Sequence, residues 1–318
     1  MKCRQCSQKA VINMRQHKLA LCSNHFIDWF TIQIQRTIHR YRMFNTDSRI
    51  LVAVSGGKDS LAVWDVLHQL GYQADGLYIH LGIEKEFHYS QISQQKSEDF
   101  ANKHGLYLHI ENVKKNEGAS ITEATNLTLR GRNKPCSVCG LTKRHYMNRV
   151  GLQGGYDVLV TGHNLDDEAA VLFGNSLNWQ VGYLARQHPV LEASSKGFIQ
   201  RTKPFFRFYE RETAAYAFLR GIDYVQEECP YAIGAKSIYY KEVLNHMELK
   251  RPGLKQSFFL AFLKAKQEER LLFRDDVPKE ELKACKNCGQ PTSAPDLCAF
   301  CRTWEKTRDL RAKNLREA

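Results

Sequence analysis

Past Arg49 the chain alternates short apolar runs with amphipathic stretches. Ile50 to Val54 is a continuous apolar run and predicts a buried strand, and Leu61 to Leu70 carries apolar positions at helical spacing and stops at Gly71. The same reading predicts strands at Gly76 to His80, Leu106 to Ile110 and Asp157 to Thr161, with helices near Ser90 to Lys103, Leu141 to Val150 and Leu165 to Leu177. A succession of βα units of this kind implies an α/β fold with a parallel sheet covered by helices on both faces. Ligands then belong at the carboxyl ends of the strands. Glu117 to Pro135, with Gly118, Gly131, Asn133 and Pro135, reads as a long mobile connection over that edge. Beyond Tyr209 the pattern is mostly helical, at Glu210 to Leu219, Ala235 to Met247 and Gln256 to Glu269. Near the start, Phe26, Trp29, Phe30, Ile32, Ile34, Ile38 and Tyr41 predict a helix running to about Phe44.

Composition sharpens this picture. With 318 residues, 43% of them hydrophobic, the chain can bury one substantial core with small appendages, and no apolar run approaches the ~18 residues of a membrane span. The N-terminus shows neither a signal peptide nor an anchor, so the expectation is a cytoplasmic protein with no membrane association. Ten cysteines without a secretion signal point to metal ligation or catalysis rather than disulfides. Lys plus Arg exceeds Asp plus Glu by 46 to 34, a net charge of +12 that suits a polyanionic partner.

The cysteines partition into two terminal sets and a central trio. Cys3-x-x-Cys6, fifteen residues, then Cys22-x-x-His25 has the spacing of a tetrahedral zinc knuckle. Cys285-x-x-Cys288, nine residues, then Cys298-x-x-Cys301 forms a second. Each set has four protein ligands and no open position, which makes both sites structural. The expected organisation is therefore 1–47 for the first knuckle and its linking helix, 48–277 for the central domain, and 278–318 for the second knuckle and a charged tail.

Ser55-Gly56-Gly57-Lys58-Asp59-Ser60 lies between an apolar strand and a helix, where backbone N–H groups and the helix N-terminus can cradle an anion. The spacing is too short for a Walker loop, and an Asp follows the Lys. It resembles the PP-loop of the ATP pyrophosphatases, which implies ATP with Mg²⁺. Ala53 and Ser55 to Ser60 would then surround the nucleotide, with Lys58 neutralising charge and Asp59 beside the metal. His80, at a strand end, is placed to touch the base or is structural. The next strand end carries Gly162, His163, Asp166, Asp167 and Glu168. Gly162 and His163 should sit beside the PP-loop, and Asp166 and Asp167 either bind Mg²⁺, move a proton or merely complement a helix dipole.

Cys136, Cys139 and Cys229 remain. Three thiolates can hold a 4Fe-4S cluster with one iron open to an exogenous ligand such as sulfide. A third zinc with an unseen ligand, persulfide chemistry and inert buried thiols are compatible with the same residues.

Together, the PP-loop, Gly162-His163-x-x-Asp166-Asp167, Cys136-x-x-Cys139 with Cys229-Pro230, Lys143-Arg144, Lys203-Pro204 and a knuckle at each end resemble the TtuA/Ncs/Ctu group of tRNA 2-thiouridine synthetases over essentially all of the chain. The resemblance implies an adenine nucleotide alpha hydrolase-like fold. It also implies an enzyme that adenylates the uracil C2 oxygen and delivers sulfur held on a 4Fe-4S cluster at Cys136, Cys139 and Cys229. Lys143 and Asp167 match residues implicated in the chemistry. The sulfur donor would be sulfide or a thiocarboxylated ubiquitin-like carrier protein, and the assembly a homodimer. The favoured target is the T-loop ribothymidine; the anticodon wobble uridine, a cytidine as in the TtcA group, and a non-catalytic zinc RNA-binding protein are the alternatives. On this reading the basic tail residues Arg302, Lys306, Arg308, Arg311 and Lys313 track tRNA phosphates.

Overall fold

The computed structural model describes residues 1–84, 88–128, 130, 135–193, 197–232, 234–271 and 282–317. A short hairpin, β1 (Ile12–Met14) and β2 (Leu19–Leu21), leads into α1 (Ser23–Arg40). The βα succession then runs β3 (Ile50–Val54), α2 (Lys58–Gln69), β4 (Ala74–His80), α3 (Tyr89–His104) and β5 (Leu108–Asn112). Two short helices, α4 (Val113–Glu117) and α5 (Ile121–Leu127), precede α6 (Pro135–Gln153), β6 (Val158–Thr161), α7 (Leu165–Leu177) and α8 (Val181–Arg186). An edge pair, β7 (Val190–Leu191) and β8 (Gln200–Thr202), is followed by α9 (Glu210–Leu219), α10 (Lys236–Lys250) and α11 (Leu254–Gln267). The chain closes with a second small hairpin, β9 (Lys283–Ala284) and β10 (Pro291–Thr292), and with α12 (Ala299–Glu317).

The central sheet has the order β5-β4-β3-β6-β8-β7. β3 pairs in parallel with β4 on one side, Ile50 beside Ala74, and with β6 on the other, Ile50 beside Val158. The chain therefore leaves β3 in one direction and returns to its other flank later, which opens a crevice at the carboxyl end of β3. All pairings in this sheet are parallel except β7 with β8. That antiparallel edge, together with α8, is not foreseen from the sequence because two- and three-residue strands carry no measurable period.

Side chains of β3 alternate between two cores, as a period of two dictates. Ile50, Val52 and Val54 join Phe26 and Phe30 of α1, Trp64 of α2 and Tyr216 of α9, whereas Leu51 joins Tyr146 of α6 and Trp304 of α12. Each terminal module is built into one of these cores. Cys3, Met14, Leu21 and Cys22 belong to the first, and Cys285, Cys298 and Cys301 to the second. The two cysteine-rich ends thus brace opposite faces of one sheet.

Two expectations need correction. Part of the stretch predicted as a mobile connection is helical: Ser120 caps α5, accepting from Glu123 N at 3.1 Å while its own N–H donates to the Glu123 carboxylate at 2.7 Å. Residues 129 and 131–134 of that stretch lie outside the described residues, as do 272–281, where the boundary at 277 and 278 was expected. The charged tail is α12 itself, docked on α5 and α6. Trp304 is fully buried and donates to Thr142 Oγ1 at 3.2 Å, and Arg308 and Arg311 reach Glu117 and Glu123 at 3.2 and 3.6 Å. Two of the five tail cations expected to track phosphates are therefore held by carboxylates of this chain.

Candidate active site and metal centres

The PP-loop takes its shape from its glycines and from Ser60. Gly56 has φ +73°, and a Cβ there would lie 2.4 Å from the Ser93 carbonyl oxygen, so no other residue fits. Ser60 Oγ accepts from Ser55 N at 3.0 Å and donates to Gly57 O at 2.9 Å, which folds the loop back on the first turn of α2. Gly57 is the N-cap of α2, leaving the free N–H groups of that turn beside the loop. Gly162 lies against the same turn, where a Cβ would sit 2.6 Å from the Asp59 carbonyl oxygen. The loops after β3 and β6 are thereby in backbone contact, as expected for Gly162 and His163.

Side chains around this junction form an ion-pair chain. Lys58 Nζ lies 2.9 Å from Asp59 Oδ2 and 2.8 Å from Glu210 Oε1. Burial disfavours the Lys58 ammonium, but Asp59 and Glu210 outweigh it and hold its pKa above the usual value. Glu210 Oε2 accepts from Lys241 Nζ at 3.2 Å, and Lys241 reaches Asp167 Oδ1 at 2.6 Å. Asp59 Oδ1 accepts from Thr213 Oγ1 and, at 3.4 Å, from Asn164 Nδ2, while Oδ2 accepts from Lys58 Nζ.

The three acids opening α7 have separate fates, so Asp166 and Asp167 do not share one environment. Asp166 is buried, one oxygen accepting from Glu210 N at 2.8 Å and the other from the buried Lys255 ammonium. Glu168 is buried against Lys203 at 2.7 Å. Asp167 alone is partly exposed: Oδ2 accepts from Asn164 N at 3.1 Å in a capping box, and Oδ1 faces Lys241. Glu210, Lys241 and Lys255 were not singled out from sequence, since a single charge within a helix carries no pattern, whereas Lys203 was noted only as part of Lys203-Pro204.

His163 lies within electrostatic reach of both expected catalytic residues, Lys143 and Asp167. Its Nδ1 lies 2.8 Å from Thr161 Oγ1, and burial, then Lys203, lowers its pKa while Asp167 and Glu168 oppose and Lys143 adds to the shift. A cavity of about 70 Å³ lined by Ala53, Ser55, Tyr78, Tyr89, Ser93 and Lys143 links the end of β3 to α6. His80, at the end of β4, borders a separate cavity of about 590 Å³, with Nε2 3.4 Å from Glu84 and Nδ1 buried and unpartnered among the described residues.

Cys136 and Cys139 occupy the first two turns of α6, which starts six residues before the predicted Leu141 because Pro135 suits a first helical position. Cys229 approaches them from the loop after α9, and Cys136 Sγ lies 3.5 Å from the Tyr231 carbonyl oxygen. Burial raises the Cys229 thiol, with the neighbouring Cys139 and Cys136 adding to it and Lys143 opposing. Lys143 stays protonated above its ordinary range, Cys139 being the main cause. Among the described residues only the two terminal sets bring their ligand atoms within 4.8 Å of one another. At least one sulfur pair of the trio is therefore more than 4.8 Å apart, a spacing that a multi-iron cluster accommodates.

Both terminal sets fit a tetrahedral ion. His25 Nδ1 lies 3.5 Å from Cys3 Sγ and 3.3 Å from Cys22 Sγ, Cys6 and Cys22 are 3.8 Å apart, and Cys288 and Cys298 are 3.7 Å apart. Backbone N–H groups point at the sulfurs, from Gln5 to Cys3 at 3.4 Å and from Cys298 to Cys285 at 3.2 Å. Burial works against ionisation of Cys3 and Cys285, yet backbone N–H groups, of Cys22, Gln5 and Cys6 for Cys3 and of Cys298, Cys288 and Asn287 for Cys285, bring both thiols down to about 6, while Cys6, Cys288 and Cys301 are shifted upward by burial and their neighbouring thiols.

Comparison with known proteins agrees with this geometry. Residues 2–27 match the family described as 2-thiouridine synthetase TtuA, N-terminal LIM domain, and residues 30–233 match the PP-loop domain. A tRNA-5-methyluridine(54) 2-sulfurtransferase of Thermus thermophilus is 49% identical over 96% of this chain and 91% of its own length. Its counterpart in Pyrococcus horikoshii is 44% identical over 98% and 96%. Among solved structures, the U34-tRNA thiolase NcsA from Methanococcus maripaludis with its 4Fe-4S cluster superposes with a TM-score of 0.77 at 23% identity, covering 98% of this chain and 96% of that one, a likeness of fold. The chain belongs to the TtuA-type family of PP-loop tRNA 2-sulfurtransferases.

Proposed function

We propose that this protein is an ATP-dependent tRNA sulfurtransferase that converts the T-loop 5-methyluridine to its 2-thio form. The observation that carries the chemistry is the meeting, at one end of the sheet, of the PP-loop, the Gly162 to Asp167 loop and the cysteine trio around Lys143. The T-loop target is supported by relatives named for that nucleoside at 38 to 49% identity, against 28% for proteins named cytoplasmic tRNA 2-thiolation protein 1.

In this reading Ser55, Gly56, Gly57 and Ser60 cradle the ATP phosphates at the N-terminus of α2, Ala53, Gly162 and His163 line the nucleotide, and His80 faces the base. Lys58 exchanges Glu210 for phosphate oxygens as the uracil C2 oxygen attacks the α-phosphorus and pyrophosphate leaves. Asp167 takes the proton from uracil N3. Sulfur then attacks C2 and AMP departs, Lys143 steadying the negative charge that develops; no net oxidation occurs. A 4Fe-4S cluster held by Cys136, Cys139 and Cys229 supplies, when bound, an iron free to carry sulfide. Cys3, Cys6, Cys22 and His25, and Cys285, Cys288, Cys298 and Cys301, hold structural zinc, and Mg²⁺ accompanies ATP. The divisions 1–47, 48–277 and 278–318, a cytoplasmic setting, a homodimeric unit and either sulfide or a thiocarboxylated carrier as donor complete the reading.

The test is anaerobic incubation with ATP, sulfide and tRNA from cells lacking the enzyme, followed by nucleoside mass spectrometry and AMP quantification. Appearance of 2-thio-5-methyluridine with AMP is expected. Thiolation found only at the wobble position would overturn the target. Iron analysis should give about four irons per chain, lost in Cys229→Ala while zinc remains; zinc without iron after reconstitution would replace the cluster by persulfide chemistry.

A further inference from the structure

A basic groove of about 1060 Å³ lies between the C-terminal ends of α1 and α11 and the segment joining β8 to α9. Its cationic wall consists of Arg40, Arg42, Arg207, Lys264 and Lys266, with Tyr41 between the first two. The lysines are engaged: Lys264 pairs with Glu268 at 3.6 Å, and Lys266 Nζ caps α8, donating to the carbonyls of Ala185 and Gln187 at 2.7 and 3.1 Å. The arginines, among the described residues, are not. Among the described residues no carboxylate pairs with Arg40, Arg42 or Arg207, and Arg40 lies instead near the Tyr41 ring, 6.0 Å from its centroid.

Such crowding is unfavourable to the protein by itself. Arg207 is half-buried; burial works against its charge, Tyr41 opposes that effect and the adjacent Arg40 adds to it. Like charges held together on packed helix ends without a counter-ion are compensated when an external polyanion supplies the negative charge. The planar guanidinium fork suits phosphodiester oxygens, and Tyr41 provides an aromatic face next to it.

The groove also communicates with the reaction site. Arg207 belongs to the segment Lys203 to Glu210, whose other side carries the catalytic contacts: the Phe208 carbonyl accepts from Leu165 N at 2.8 Å, Lys203 pairs with Glu168, and Glu210 holds Lys58. The outer and inner sides of one strut thus face the groove and the PP-loop.

We propose that Arg40, Arg42 and Arg207 form a binding site for the phosphodiester backbone of tRNA, remote from the nucleotide being modified. This rests on the tRNA reading above and replaces part of the role expected of the C-terminal tail. The test uses a fluorescein-labelled elongator tRNA transcript, with anisotropy titrations between about 50 and 200 mM KCl. Arg40→Gln with Arg207→Gln should weaken tRNA binding roughly tenfold and flatten the salt dependence of log K by between about 1 and 2, at about 0.7 to 0.9 for each phosphate no longer neutralised. ATP affinity and thiolation at saturating tRNA should stay near wild type, and Arg40→Lys with Arg207→Lys should keep the wild-type salt slope. Unchanged tRNA affinity and slope would overturn the site, as would a loss of ATP and tRNA affinity together, which marks a structural role. Weakened binding of an acidic protein with tRNA binding intact would also overturn it. Wild-type protein that binds tRNA but thiolates no uridine defeats the proposed function and leaves the groove standing.

Discussion

At the scale of single residues, neighbouring carboxylates in one motif do opposite things. Asp166 is buried and balanced by the buried Lys255, so Asp166→Asn leaves an uncompensated ammonium and should cost about 3 to 5 kcal/mol, measured as a drop in urea midpoint at unchanged slope. Asp167 is partly exposed, and asparagine can keep one of its capping hydrogen bonds. Asp167→Asn should therefore hold the midpoint within about 1 kcal/mol while AMP formation with tRNA falls by at least a hundredfold. Equal stability losses in the two variants would contradict this division. Gly56→Ala should abolish ATP binding in calorimetry, since the added methyl meets the backbone of α3 at 2.4 Å and the residue must keep φ +73°.

At the scale of elements, α12 shows how a stretch that reads as a solvated tail becomes part of a core. Phe300 stacks on His145 with ring centroids 3.6 Å apart and planes at 4°, and Trp304 fills the space against α6. Trp304→Ala should cost about 3 to 5 kcal/mol and expose the chain after residue 282 to limited proteolysis before the PP-loop region is cut. His145 also couples this docking to pH. Burial, then the nearby Arg149, lowers its pKa from 6.5 to about 4. Between those values the unfolded chain takes up the proton and the folded chain does not, so stability falls as pH drops through that window. His145→Phe keeps the stacking and should flatten the pH dependence of the urea midpoint there; an unaltered slope would exclude His145 as its source.

At the scale of the whole molecule, the terminal metal modules close the two faces of one sheet. Cys3 and Cys22 lie in the same core as Phe26, Phe30 and Tyr216. Chelation of the N-terminal site should therefore lower the main thermal transition, whereas Cys301→Ser should loosen α12 first and leave a separable transition in calorimetry. One undivided transition in both cases would show that the two faces unfold as a unit.

Much of this was legible along the chain because the signals are local. β3, α7 and α9 fall where apolar period and capping residues put them, and Cys-x-x-Cys turns and Ser-Gly-Gly-Lys-Asp-Ser are contiguous. Ser120-x-x-Glu123 was also a readable capping signal, obscured by the glycines and proline around it. Contacts between segments distant along the chain left no trace in composition or spacing: Lys241 with Asp167, Glu210 with Lys58, Lys255 with Asp166, and Arg40 beside Arg207. The sequence by itself determined the central βα succession, the Cys-x-x-Cys and Cys-x-x-His turns and the phosphate-loop motif, since each depends on a few adjacent residues. Only the tertiary structure decided which acid is buried and which cation is neutralised, because charge is settled by whatever the fold brings within a few ångströms.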